Sequence, residues 1–373
     1  MIRHKAYKFR IYPNTEQQVL LAKTFGSVRF VYNYFLGVKR KLYEEEKKSL
    51  SYTKCAAELV SLKKENPFLK EVDSIALQQS LRHLDTAFQN FFRDKKIGYP
   101  KFKSKKNHHY SYSSVCVNNN IRLENGVLVL PIIGKIRIIQ HRAIPENHIL
   151  KSVTISQTPS GKYYASILYD CEIEIKTVEL TKAIGLDFSM RDLFVSSEDD
   201  IQVDEQFLHH YRRSQAKLAR EQRILSHRQK GSNRYYKQRR KIALLHEKIA
   251  NQRKDYLHKV SRQIANAYDI VCVEDLNMQA MSQTLNFGKS VDDNGWGMFL
   301  RFLEYKLADS GKLFVKIDKW YASSKTCRIC GYINRELTLR DRNWECPECH
   351  TFHERDKNAA VNIKNEGLRI ACT

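Results

Sequence analysis

Two matched cysteine pairs, Cys327-x2-Cys330 and Cys346-x2-Cys349, constrain this 373-residue chain more than any other feature. Each CxxC makes a knuckle, and two knuckles present four thiolates at tetrahedral spacing for Zn²⁺. Gly331 directly follows the first pair and Pro347 lies inside the second, both suited to tight turns. A redox pair or a chance cluster does not account for two matched pairs. With four thiolates closing the coordination shell, the expected zinc is structural rather than catalytic. A ribbon is therefore expected at 323–350; His350 and His353 could substitute as ligands but are expected to be neighbours of the four cysteines. Cys55, Cys116, Cys171, Cys272 and Cys372 are scattered singly, for an odd total of nine. That usage fits a reduced cytosol better than a disulfide framework, and the five read as structural.

The chain is long enough for two or three domains. Its 42% hydrophobic content is enough to fill real cores. It has no run of 18 apolar residues to span a membrane, and the start, Met1-Ile2-Arg3-His4-Lys5, does not read as a signal peptide. The net charge of +23 is unevenly placed. Residues 1–110 hold 23 basic and 10 acidic groups, and residues 211–262 hold 17 and 3; residues 111–210 hold 9 and 13, and residues 263–373 hold 15 of each. Two blocks thus carry all the excess. A solvated surface or membrane headgroups could use such charge, but no amphipathic or lipidation signal accompanies it. Clustered cations that release phosphate counterions fit nucleic acid better.

The hydropathy pattern gives an α+β multidomain chain. Tyr7, Phe9 and Ile11 alternate with Lys8 and Arg10, as in a half-buried strand, and Pro13-Asn14-Thr15-Glu16 opens a helix. Helical spacing continues to about 94, interrupted near 49–51 and 66–67. Its strongest stretch, 74–92, uses Ile75, Leu77, Leu81, Leu84, Phe88 and Phe91/Phe92 as its apolar side. A basic-aromatic loop follows. Short strands at 121–123, 127–130, 135–140, 151–156 and 163–169 are spaced like a small barrel. The organisation expected is a barrel of 1–14 plus 111–178, wedge-like, with 15–110 inserted as a helical domain. Beyond it, strands at 183–187 and 193–196 precede a basic helical hairpin at 208–265, broken at 230–233. A strand at 270–273, a polar linker, a helix at 296–309, a strand at 313–317 and a last helix near Asp356 complete the pattern. Residues 179–322 plus 351–373 would form an α/β domain carrying the ribbon.

Asp187 ends the apolar strand Ile184-Gly185-Leu186-Asp187, Glu274 ends Val271-Cys272-Val273-Glu274, and Asp356 starts a helix in Arg355-Asp356-Lys357-Asn358-Ala359-Ala360. Singly, each reads as a strand-end or capping acid. Together, in the order strand, strand, helix, they match a ribonuclease-H-type site that holds two Mg²⁺ about 4 Å apart. Gly185-Leu186-Asp187-Phe188-Ser189, Val273-Glu274-Asp275-Leu276, Ser323-Ser324-Lys325-Thr326-Cys327, the Asp356 motif and the loop Tyr99-Pro100-Lys101-Phe102-Lys103 together resemble the TnpB family. TnpB proteins are transposon-encoded relatives of Fanzor and the type V CRISPR effectors.

That resemblance spans nearly the whole chain. It implies a RuvC-type, ribonuclease-H-like nuclease domain with an inserted zinc ribbon, and an RNA-guided, Mg²⁺-dependent DNA endonuclease of the prokaryotic cytosol. Asp187, Glu274 and Asp356 would be its catalytic magnesium ligands, with Glu274 favoured over the adjacent Asp275. Its partners would be a guide RNA from the transposon end, lying in a groove between the two halves, and double-stranded target DNA read mainly by base pairing. Tyr52, Gln78 and Gln79 are candidates for reading a short flanking motif, glutamine being suited to adenine. Lys101, Lys103, Arg239, Arg240 and Lys241 are candidates for backbone contact. Two rivals remain: a repressor that has lost cleavage, and a DNA-strand transferase.

Overall fold

The computed structural model describes residues 2–94, 96–172, 178–189, 192–199, 201, 205–278, 295–338 and 340–372. The expected polar linker lies largely at 279–294, outside the described residues. The chain separates into two compact units, 1–174 and 175–373.

The first unit is built around β1 (Ile2–Tyr12), which pairs antiparallel along almost its whole length with β7 (Tyr163–Glu172). Its far end pairs with β5 (Gly134–Ile139), from Arg10↔Ile139 to Tyr12↔Arg137. With β2 (Tyr110–Val115), β3 (Arg122–Glu124), β4 (Val127–Leu130) and β6 (Ile149–Gln157), the sheet runs β2-β6-β7-β1-β5-β4-β3. Its end strands β2 and β3 do not pair with each other, so the expected barrel is an open, curled half-barrel. Alternation puts Tyr163, Ala165, Ile167, Tyr169 and Cys171 of β7 on one buried face.

Between β1 and β2 run α1 (Thr15–Glu46), α2 (Tyr52–Glu65) and α3 (Ser74–Arg93). Asn14 caps α1 in a reciprocal box with Gln17, Oδ1 accepting from the Gln17 N–H at 2.8 Å. Phe25, Val31 and Phe35 of α1 and Leu77, Leu81 and Leu84 of α3 share one core with the sheet. Phe92, expected on the apolar side of α3, is exposed.

The second unit holds a four-stranded sheet, β11-β10-β8-β9, of β8 (Ala183–Ser189), β9 (Leu193–Ser196), β10 (Ile270–Glu274) and β11 (Leu313–Ile317). β8, β10 and β11 are parallel, and β9 is antiparallel to β8. β10 is buried on both faces, hence its unbroken apolar run. Val271 and Val273 pack on one face against α5 (Asn233–Ala267) and α6 (Trp296–Asp309), whose Tyr256, Val260, Ile264, Trp296, Phe299 and Leu303 fill that core. Ile270 and Cys272 point the other way, toward Ile363 of α7 (Arg355–Ala371).

α4 (Glu205–Ser226) folds back on α5 through a turn at Gly231, φ +88°, capped by Ser232. Glu221 fastens this hairpin. Its side chain is 2% exposed, accepts from Gln238 Nε2 and lies 2.9 Å from Lys241 Nζ. No helix among the described residues is long and apolar enough to cross a membrane.

Candidate metal centre and nucleic-acid interface

β8 and β10 run in parallel register, with Val273 opposite Leu186. One residue further on, Glu274 stands beside Asp187 at the same sheet edge. α7 packs across β8 and β10 and brings Asp356 to that edge from its first turn. The approach depends on two glycines. A Cβ on Gly185 would lie 2.1 Å from the Ala360 carbonyl oxygen and 2.6 Å from the Lys364 backbone nitrogen. A Cβ on Gly367 would lie 2.3 Å from Cys272 Sγ. The β8 backbone therefore meets the α7 backbone directly at Gly185, and the Cys272 side chain of β10 packs onto the bare α7 backbone at Gly367.

Asp187 feels the other two carboxylates. Burial pushes the Asp187 carboxyl up to about 8, helped by the negative charges of Glu274 and Asp356; Arg355 offsets part of this. Burial also raises Glu274, against the Ser323 hydroxyl that donates to its Oε1. Asp356 draws its counter-charge from two arginines, Arg342 Nη1 at 3.1 Å and Arg355 Nη2 at 3.0 Å. Its oxygens are thus turned to guanidinium groups, and the carboxylates do not close to ligand spacing as the thiols do. Asp275 is exposed and lies 3.8 Å from Lys316 Nζ. The donor set suits a hard divalent cation, because the three candidate ligands are all carboxylates and two arginines do not fully balance them.

The four cysteines do converge, with all four Sγ atoms within 4.8 Å of one another. Cys327 and Cys349 are 3.6 Å apart and Cys330 and Cys346 are 3.5 Å apart. Zinc–sulfur bonds of about 2.3 Å imply tetrahedron edges of about 3.8 Å, so zinc fits. The knuckles repeat one backbone pattern. Cys327 N–H donates to the Tyr332 carbonyl and Gly331 N–H to the Cys327 carbonyl; Cys346 N–H donates to Thr351 and His350 N–H to Cys346. The residue after each second cysteine is left-handed, Gly331 at φ +78° and His350 at φ +55°. Hydrogen bonds from Thr351 lower the Cys349 thiol, whereas burial and the neighbouring sulfurs raise Cys330, so without a metal the cluster favours charge on Cys349 and opposes it on Cys330. His353 is a neighbour, its Nε2 3.1 Å from Cys327 Sγ. Around the cluster, β12 (Asn343–Glu345) pairs with β13 (Phe352–Glu354).

Cys346→Ser is expected to release the metal and loosen this hairpin, read as zinc content and chelator sensitivity. A zinc-free wild-type chain whose fold ignores chelator would remove the metal from this site.

The remaining candidates divide. Gln78 is exposed and Gln79 half-buried on α3; the Tyr52 ring, 4.9 Å from the Arg82 guanidinium, lies one turn along from them. Lys101 is exposed. Lys103 is partly committed, its ammonium 4.0 Å from the centre of the Tyr32 ring and its backbone N–H donating to Asn33. Arg239 and Arg240 are exposed, but Lys241 is engaged by the buried Glu221.

Family models match in three places. One described as "Probable transposase" covers residues 166–285, one described as "Cas12f1-like, TNB domain" covers 296–363, and one described as "Helix-turn-helix domain" covers 1–48. Despite that last description, residues 2–46 fold as a strand and one 32-residue helix. A Streptomyces pristinaespiralis protein provisionally named an RNA-guided DNA endonuclease is 37% identical over 98% of this chain and 89% of its own. Escherichia coli K12 InsQ, provisionally named likewise, is 32% identical over 100% and 94%. A solved Cas12f1–sgRNA–target DNA complex contains a chain of the same fold, with TM-score 0.52 and 13% identity over 98% and 99%. By these relatives, and by the motifs around Asp187, Glu274, Cys327 and Asp356, the chain belongs to the TnpB family of IS605-type OrfB proteins.

Proposed function

We propose that this chain is a transposon-encoded, RNA-guided DNA endonuclease that hydrolyses target DNA beside a short flanking motif. The observation that carries the reading is the meeting of Asp187, Glu274 and Asp356 at one sheet edge, with Asp187 raised to about 8 by burial and by its two acidic neighbours. The parallel β8-β10-β11 core with an antiparallel β9 supports a ribonuclease-H-like, RuvC-type domain with the ribbon inserted before its last helix. Magnesium bound there would activate water and stabilise the leaving oxygen. Asp187 and Glu274 would hold it from the strand ends, and Asp356 from α7 once its carboxylate turns from Arg342 and Arg355. The intact acids weigh against a repressor that has lost cleavage.

Incubating the protein and its co-purified RNA with Mg²⁺ and labelled target DNA tests the reading. Cut ends support it, joined ends indicate a strand transferase, and bound but intact DNA indicates a repressor.

The α4–α5 hairpin is the proposed seat of the RNA backbone, read by shape and charge. Arg239→Glu combined with Arg240→Glu, leaving the Lys241–Glu221 pair intact, is expected to weaken RNA binding. It should also flatten the salt dependence by roughly 1.4–1.8 in log–log slope for two lost phosphate contacts. An unchanged slope in a filter-binding titration would return these arginines to a solvated face.

A further inference from the structure

The Glu274 carboxylate, last residue of β10, is held by a single side-chain donor among the described residues, the buried Ser323 hydroxyl on Oε1. Ser323 lies at the root of the ribbon, and its surroundings are pinned to α7. Asn362 Nδ2 donates to the Ser323 carbonyl at 2.8 Å and to the Thr326 carbonyl at 2.6 Å. One turn earlier, Asn358 Nδ2 donates to the same Thr326 carbonyl at 2.7 Å, and Asn358 Oδ1 accepts from the Arg328 N–H at 3.1 Å. Thr326 closes the turn on itself, its N–H and hydroxyl reaching the Ala322 carbonyl at 3.0 and 2.8 Å. Both asparagines are buried inside α7, where asparagine is a poor helix former. Their cost is offset by four satisfied bonds that connect the helix bearing Asp356 to the segment bearing Ser323 and Cys327.

The backbone groups of the 322–328 turn are met by Thr326, by the two asparagines and by main-chain partners such as Tyr321 and Tyr332. The Ser323 hydroxyl serves none of them. It goes to the acid.

We propose that Ser323 is a positioning residue for Glu274, kept in place by Asn358 and Asn362, so that the root of the zinc ribbon sets the orientation of the second carboxylate. The inference rests on the nuclease reading above. A glutamate at a strand end has three rotatable side-chain bonds, and an O–H donor on Oε1 narrows the orientations open to the carboxylate while engaging only one of its two oxygens. Such outer partners of metal-binding carboxylates are worth about 10–100-fold in metal affinity or rate.

The test uses the full chain with its co-purified RNA. Cleavage kinetics in Mg²⁺ give kcat and KM, Mn²⁺ affinity is followed by electron paramagnetic resonance without DNA, and zinc content is measured alongside. Ser323→Ala is expected to lower kcat and weaken Mn²⁺ binding, each by about 10–100-fold, with target KM and zinc content unchanged. Ser323→Thr, which keeps the hydroxyl, should recover most of both. Asn362→Leu should follow Ser323→Ala while retaining zinc. Wild-type kcat and Mn²⁺ affinity in Ser323→Ala overturn the proposal, as does a threonine variant no better than alanine. Asp187→Ala measured in parallel separates the two claims. If it is inactive while Ser323→Ala is normal, only the positioning role falls; if Asp187→Ala itself cuts normally, the nuclease reading falls and takes the proposal with it.

Discussion

Replacing Asp187 by alanine is expected to abolish DNA cutting, by on the order of a thousandfold or more, while leaving RNA and target binding at wild-type levels. The reason is local. Asp187 is the carboxylate on which burial and both acidic neighbours act, so on the proposed reading its loss removes the group most dependent on a bound cation. The exposed Arg239 and Arg240 of the hairpin are untouched. Glu274→Ala and Asp356→Ala should behave alike, and no double variant should be much worse than a single, because groups that hold shared metals act as a unit. Cleavage rates at saturating protein and RNA are the measurement. Near-normal cutting by Asp187→Ala would return all three acids to strand-end and capping roles.

Gly185→Ala is expected to be the most damaging small substitution in the second unit. The added methyl would meet the Ala360 carbonyl oxygen and the Lys364 nitrogen, both backbone atoms of α7 that cannot swing aside. Overpacking costs about 1–3 kcal/mol where side chains can yield. Here the helix itself must move, so about 3 kcal/mol or more is expected, a fall of roughly 6–12 °C in Tm for a unit of this size. Cutting should fall further than stability alone explains, since moving α7 moves Asp356. Gly37→Ala supplies the contrast. It too lies within a helix, but a Cβ there meets nothing within 4 Å, and alanine should stabilise α1 by up to about 1 kcal/mol. Thermal melts of both variants decide the matter; an unchanged melting point for Gly185→Ala would show that α7 does not sit where the close contact puts it.

Much of this was legible in the residues. Helix 296–309 and strand 313–317 fall where periodicity puts them, because each is a strongly patterned run with clear ends. β2 was not legible. Tyr110-Ser111-Tyr112-Ser113-Ser114 is too rich in serine to read as a strand, yet Ser113 meets the Thr154 hydroxyl at 2.8 Å and the buried Ser114 donates to Asp73. Whether the sheet closes depends on pairing between β2 and β3, which no local pattern encodes. The ribbon strands, three residues each, are too short to show a period.

In the site, the cysteines announce themselves by type and spacing, whereas the acids, each weak alone, are drawn together by their order along the chain and by the resemblance to TnpB. Their supports do not announce themselves. Gly185, Gly367, Ser323 and Arg342 act through space on distant residues. The signal that could have been read is the pair Asn358 and Asn362, two poor helix formers one turn apart inside a helix. Gly331 marks its left-handed turn openly, whereas His350 occupies the equivalent place without any glycine to betray it.

The position of α7 also sets a timetable. During synthesis, β8, β9, β10 and β11 leave the ribosome well before residues 355–371, so Ile270, Cys272 and Ile317 lack the cover of Ile363 and Leu368 until α7 emerges. The same helix delivers Asp356. On the proposed reading, a chain that has not yet made residues 355–371 would lack both this cover and the third carboxylate, so folding of the second unit and assembly of the acidic centre would be completed by one and the same helix.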